Sequence, residues 1–178
     1  KSIIVSSIEH DAILRAAEAL GRSAADVQVT VVPVDKYGLV DPEVVADHVD
    51  KYTALVSVML VNNEVGTIQN IARISELVKA KSKSKGGSVL IHTDAVQAAG
   101  KLSLDVDKLG VDMLSLSAHK INGPKGVGAL YIRRHSGVRP FQDGGGQEGG
   151  MRSGTENVPA IVGFGKALEL AEAERLGN

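Results

Sequence analysis

Thr53-Ala54-Leu55-Val56-Ser57-Val58-Met59-Leu60-Val61 is an almost unbroken apolar run that ends in Asn62-Asn63-Glu64 and then Gly66. A half-buried strand alternates apolar and polar residues, so a run without alternation fits a strand covered on both faces, as in a parallel sheet between helical layers. The neighbouring runs agree. Ile3 to Val5 is a short β-branched stretch, Asp26 to Val34 carries Val27, Val29, Val31, Val32 and Val34, and Val89-Leu90-Ile91 leads into His92-Thr93-Asp94. Val111 to Leu116 is a further strand that ends at Ser117, and Val127 to Ile132 reads as a strand returning from the turn Gly123-Pro124-Lys125-Gly126.

Helical spacing fills the intervals. Ala12, Ile13, Ala16, Ala17 and Leu20 predict a helix ending at Gly21; Asp41-Pro42-Glu43 is a helix start with Asp as N-cap and Pro in the first turn. Ile71, Ile74, Leu77 and Val78 predict another, whose basic continuation Lys79 to Lys85 reads as a solvated helix end where cations suit the dipole. Pro159 to Leu176 predicts a final helix. Gly144 to Gly150 reads as a mobile or tightly turning loop. Strands alternating with helices give an α/β fold: a mainly parallel sheet with helices on both faces, forming one domain over residues 1–178.

With 178 residues, 43% of them hydrophobic and 23% charged, the chain can bury a sizeable core. Twenty Lys+Arg against 21 Asp+Glu leave no charge bias towards nucleic acid or an anionic membrane, so neither is expected as a partner and a small molecule is. No Cys is present, which excludes a disulfide framework or a thiolate metal site within these residues. No apolar run reaches the roughly 18 residues of a membrane span. A cytoplasmic location is expected, or the mitochondrial matrix if a transit peptide precedes residue 1.

In parallel sheets ligands sit beyond the carboxyl ends of the strands. His10, Asn63, Asp94 with Gln97, and Ser117 with His119 and Lys120 all follow the ends of separate expected strands. Lys120, where an apolar strand breaks into a Gly/Pro turn, could be a desolvated amine that joins an aldehyde as a Schiff base; the plainer reading is a surface lysine. Asp94 could hold a pyridine nitrogen and keep it protonated, or could cap a helix over Ala95 to Ala99. Ser117 and His119 can bond a phosphate, Gln97 a phenolate oxygen, and Asn63 a ring oxygen or substrate carboxylate, where Asn63 could equally stabilise its turn. His10 could lay its imidazole on an aromatic ring or be a structural histidine.

Other chemistries lack support. Gly123-Pro124-Lys125-Gly126 has no hydroxyl residue after Lys125, and Gly126-Val127-Gly128 does not extend into a dinucleotide fingerprint. His92 and Asp94 with His119 could be imagined around a metal, but no short-spaced His pair supports one, and no metal is expected.

Taken together, Ser6-Ser7-Ile8-Glu9-His10, Val61-Asn62-Asn63-Glu64-Val65-Gly66, His92-Thr93-Asp94-Ala95-Val96-Gln97, Ser117-Ala118-His119-Lys120 with Gly123 to Gly128, and Gly144-Gly145-Gly146-Gln147-Glu148 leading to Met151-Arg152-Ser153-Gly154-Thr155 resemble the pyridoxal-phosphate-dependent cysteine desulfurases. These are class V aminotransferases of the aspartate-aminotransferase-type fold, close to the selenocysteine lyases. Each motif alone is weak, but their order and spacing along the whole chain are specific. The resemblance implies pyridoxal 5'-phosphate as cofactor, with Lys120 and His10 as catalytic candidates: Lys120 as the attachment lysine and His10 stacked on the ring. It implies Asp94 at the ring nitrogen, Gln97 at the ring oxygen, Asn63 near the ring oxygen and substrate carboxylate, and Ser117 and His119 at the phosphate. Thr155 resembles a residue that reaches the phosphate of a neighbouring subunit, which implies a homodimer.

The reaction implied is L-cysteine to L-alanine, with sulfur left as a persulfide for an acceptor protein in iron–sulfur cluster assembly or another sulfur-transfer pathway. A selenocysteine lyase, another class V aminotransferase, or a non-catalytic assembly module keeping the fold would show the same residues. In the family a catalytic cysteine and a substrate-binding arginine lie beyond the stretch that corresponds to this chain, and a phosphate loop lies before it. The expectation is therefore a large-domain portion of a longer enzyme, without the N-terminal segment and C-terminal small domain and unable by itself to complete persulfide transfer.

Overall fold

A computed structural model describes residues 1–177. Strands β1 (Ser2–Ser6), β2 (Gln28–Val32), β3 (Thr53–Ser57), β4 (Leu90–Asp94), β5 (Met113–Ser117) and β6 (Gly128–Ile132) alternate with helices α1 (Asp11–Ser23), α2 (Pro42–Asp47), α3 (Ile71–Ser84), α4 (Val106–Leu109) and α5 (Val158–Gly177). The strands make one six-stranded sheet in the order β2-β1-β3-β4-β5-β6. The first five are parallel, and β6 returns antiparallel to β5. This is the mainly parallel α/β sheet that the sequence predicts.

Unbroken apolar strands place their side chains in rows across the sheet. Ile4 pairs with Val56 and Val56 with Ile91, and all three are buried. Val45 and Val49 of the α2 region and Ile71, Ile74 and Val78 of α3 close the main core, each at the helical spacing that keeps it on one face. A second cluster gathers Ala99, Ala118, Ile121 and Phe164, and so fixes α5 against the chain that leaves β5. Gly128 permits the β5–β6 pairing, because a Cβ there would lie 2.6 Å from the Leu116 carbonyl oxygen.

Several boundaries differ from those read in the sequence. The Thr53 to Val61 strand ends at Ser57, after which Val58 and Leu60 donate singly to the His92 and Asp94 carbonyls and Val61 bridges to Ile68. The apolar run continues past the strand because Val58, Met59 and Leu60 remain buried as the chain bends. The second strand is Gln28–Val32 rather than Asp26 to Val34, and the first helix runs through Gly21 to Ser23. Lys79 to Lys85 ends α3 as expected, yet Lys79 is not simply solvated: its Nζ donates to Asp112 at 3.0 Å and to the Gly110 carbonyl at 2.8 Å.

The strand order sets where a ligand can sit. From β1 the chain moves outward to β2, then returns to place β3 on the other side of β1. Connections diverge there and leave a crevice beyond the carboxyl ends of β1 and β3, the switch point at which open α/β sheets take their ligands.

Candidate active site

The exits of β1, β3, β4 and β5 lie side by side on one edge of the sheet. Each delivers one of the polar groups singled out in the sequence. His10 follows β1 and caps α1, its Nδ1 accepting the Ala12 N–H at 3.1 Å. Accepting at Nδ1 leaves the ring proton of the neutral imidazole on Nε2, the exposed edge. The residues before it are tied to three neighbours. Ser7 N–H donates to the Val32 carbonyl (2.9 Å), Asn62 Nδ2 donates to the Ile8 carbonyl (3.0 Å), and Met59 N–H donates to Glu9 Oε1 (2.7 Å).

Asn62 also shapes the loop that carries Asn63. Its Oδ1 accepts the N–H groups of Glu64 and Val65, both at 2.9 Å, a side-chain-closed turn that leaves Asn63 exposed. A cavity of about 630 Å³ opens there, lined by His10, Glu9, Tyr37, Asn62 and Asn63 among others, at the β1–β3 crevice.

Asp94 ends β4 half-buried, and its Oδ1 accepts the Val96 N–H at 2.9 Å. The expected helix over Ala95 to Ala99 is instead a series of turns, so Asp94 caps a turn and keeps Oδ2 for another partner. Two residues earlier, on the same face of the strand, buried His92 is fully engaged. Its Nδ1 lies 2.8 Å from Ser57 Oγ and its Nε2 2.8 Å from Ser115 Oγ, a hydroxyl–imidazole–hydroxyl row across β3, β4 and β5. Burial holds the His92 pKa below its ordinary value, and with both nitrogens bonded the ring is a brace under Asp94 rather than a metal ligand.

The chain beyond β5 makes a single 3₁₀ turn, Ala118–Ile121. Residues three apart eclipse in such a turn, so Ala118 and Ile121 face Phe164 of α5 together and are buried. His119 and Lys120 consequently point away and are exposed. This corrects the expectation of a desolvated Lys120: the residues described here supply no burial around its amine. Ser117 Oγ and His119 Nδ1 sit 2.8 Å apart, and Asn122 closes the turn in the left-handed region (φ 61°), a conformation asparagine tolerates. Gln97 is half-buried in the turns after Asp94. Thr155 is exposed in the segment before α5, where the preceding loop turns tightly: Ser153 Oγ–H donates to the Gly145 carbonyl at 2.8 Å.

The donor set suits an anionic pyridine aldehyde. A primary amine on an exposed turn, a carboxylate with a free oxygen, an imidazole edge and a hydroxyl–imidazole pair stand on one rim. Sequence reasoning missed the residues that hold them, namely Glu9, Asn62, and Ser57 and Ser115 on either side of His92. Their role depends on partners 23 to 54 residues away, which no local pattern reveals.

Residues 1–177 match the family described as aminotransferase class-V. This chain belongs to that family. Class-V aminotransferases similar to it include the cysteine desulfurase IscS of Methanosarcina thermophila, 50% identical over 174 residues that make up 98% of this chain and 41% of that protein. Cysteine desulfurase IscS 1 of Archaeoglobus fulgidus is 47% identical over 98% of this chain and 43% of its own length. A solved NifS-like protein superposes with a TM-score of 0.92 at 47% identity, over 99% of this chain and 47% of that one. The chain thus spans less than half the length of these relatives. Among the described residues, no helix is long and apolar enough to cross a membrane.

Proposed function

We propose that this class-V aminotransferase chain is the cofactor-holding large-domain portion of a pyridoxal-phosphate-dependent cysteine desulfurase. The observation that carries this reading is the placement of Asp94 and the Lys120 turn at the exits of adjacent parallel strands, with His10 on the same rim, in a chain about half identical to cysteine desulfurases.

When bound, pyridoxal phosphate supplies an aldehyde for covalent attachment and a ring that takes up electrons. Lys120 Nζ would be the attachment amine, and as a free neutral amine it would take the substrate α-proton and return one to the product. Asp94 Oδ2 would hold the ring nitrogen through a charge-assisted hydrogen bond, while Oδ1 stays with Val96. His10 would lie against the ring. Gln97 would donate to the ring oxygen, Asn63 would reach that oxygen or the substrate carboxylate, and Ser117 and His119 would bond the phosphate. Thr155 would serve the phosphate of a second copy in a homodimer. These residues contain no Cys, so the thiolate that takes the sulfur and passes it to an acceptor must come from elsewhere.

An absorbance titration with pyridoxal phosphate tests the reading. A near-visible band is expected that Lys120→Ala abolishes; no band in the protein carrying its full native termini overturns it. In the protein carrying its full native termini, sulfide release from L-cysteine is then expected to exceed selenide release from selenocysteine, and the reverse would reassign the substrate.

A further inference from the structure

The crevice between β1 and β3 holds one buried ionisable side chain that the proposed function does not use. Glu9 is 5% exposed. Its donors, Ser6 Oγ–H and the Met59 N–H, both converge on Oε1, while Oε2 is buried without a partner. An anion spreads its charge over both oxygens and needs donors at each. A neutral acid accepts at its carbonyl oxygen and carries its proton on the other, which is the pattern found here. Burial pushes the Glu9 pKa up to about 7, and the charge of Asp94, at the exit of β4, adds to the rise. The other charged or titratable groups around the crevice are His10 and Asp11 on its own segment and Lys36, Tyr37 and Glu64 across the cavity.

The bonding pattern links Glu9 to the rest of the rim. Met59 N–H goes to Glu9, and one residue later Leu60 N–H goes to the Asp94 carbonyl at 2.9 Å. The same short segment after β3 therefore joins the residue before His10 to the residue expected at the ring nitrogen. We propose that Glu9 is a positioning residue: as a neutral acid it clasps the exit of β1 to the exit of β3, fixing His10 on the rim without setting a second negative charge near Asp94. Its effect on cofactor holding rests on the proposed function; the clasp itself does not. Ionisation would leave a charged oxygen buried without a donor and repelled by the Asp94 charge, so the clasp is a device of the protonated state.

Glu9→Gln keeps an acceptor at the Oε1 position and cannot ionise, whereas Glu9→Ala removes the clasp. In the cofactor-free protein, thermal stability is expected to fall between about pH 5 and about pH 8 in the parent, and Glu9→Gln is expected to lose that fall and keep only the rise towards neutrality that buried His92 contributes. In the loaded protein, Glu9→Gln is expected to match the parent's cofactor affinity within about twofold at about pH 6, and to hold cofactor about tenfold better than the parent at about pH 8, where the neutral form is a minor population. Glu9→Ala is expected to be weaker at both. Equal pH slopes in the parent and Glu9→Gln, or a Glu9→Gln protein as weak as Glu9→Ala at about pH 6, would overturn the proposal. Should no variant take up pyridoxal phosphate, the proposed function fails, and the clasp is decided by the cofactor-free profile alone: loss of the parent's fall in Glu9→Gln supports it and an unchanged slope overturns it.

Discussion

Asp94 has one carboxylate oxygen committed to the Val96 N–H and the other uncommitted, which makes it a sensitive probe of the rim. Asp94→Asn retains an oxygen that can accept from Val96, so the turn should survive while the charge is lost. Charged hydrogen bonds are worth about 1.5–3 kcal/mol, and the apparent cofactor affinity should drop about tenfold to a hundredfold in an absorbance titration. Unchanged affinity would remove Asp94 from the ring nitrogen. At this scale the polar rim was largely legible in the sequence, because each polar group follows an apolar run whose end is easy to see. Lys120 was legible in position but not in exposure, since that depends on the 3₁₀ turn facing Ala118 and Ile121 towards α5. Glu9 was not legible as a buried acid: it reads as a turn residue beside His10 until the Met59 amide, 50 residues further on, is brought against it.

The element that governs the Lys120 turn is α5. It lies so close that a Cβ on Gly163 would be 2.7 Å from Pro124 Cγ, whereas a Cβ on Gly165 would meet nothing within 4 Å. Alanine in place of an unhindered helical glycine gains about 1 kcal/mol, and overpacking a tight contact costs about 1–3 kcal/mol. Gly165→Ala should therefore stabilise the chain and Gly163→Ala should destabilise it or gain nothing, as measured by denaturant unfolding; equal gains at both positions would show that α5 is not seated on the turn. Elements with strong periodicity, such as α1 and α3, were legible in the sequence. The four-residue α4 was missed because it is too short to show a period. The over-long strand at Thr53 to Val61 was misjudged because burial and strand pairing part company at Ser57, and hydropathy reports only the first.

Across the whole molecule, two buried groups pull the pH dependence of stability in opposite directions. Glu9 titrates near 7 in the fold against an ordinary 4.5, so the folded protein binds the extra proton between those values and stability falls as pH rises through them. The full loss is about 3 kcal/mol. His92 is held below its ordinary 6.5, so its contribution is present above that value and is lost as pH falls. The two slopes overlap and partly cancel in mildly acidic solution. Glu9→Gln should unmask the His92 limb, so that stability rises with pH up to about neutrality; a thermal-melting series over pH checks this, and a profile identical to the parent's would contradict the assignment of the acidic limb to Glu9.

The sheet order also has a kinetic side. Parallel partners such as β1 and β3 are separated by about fifty residues of chain, and such distant pairing is slow to form because loop closure must precede any gain. Among the six strands, only β5 and β6 are joined by a short connection, residues 118–127, and that connection carries Lys120. The hairpin should therefore be the early-formed part of the folding transition state, with φ-values higher for substitutions at Leu114 and Tyr131 than at Ile4 or Val32. If so, the turn bearing Lys120 is built before the rest of the rim assembles, and the ties from Ser7, Ile8 and Glu9 are among the last to form.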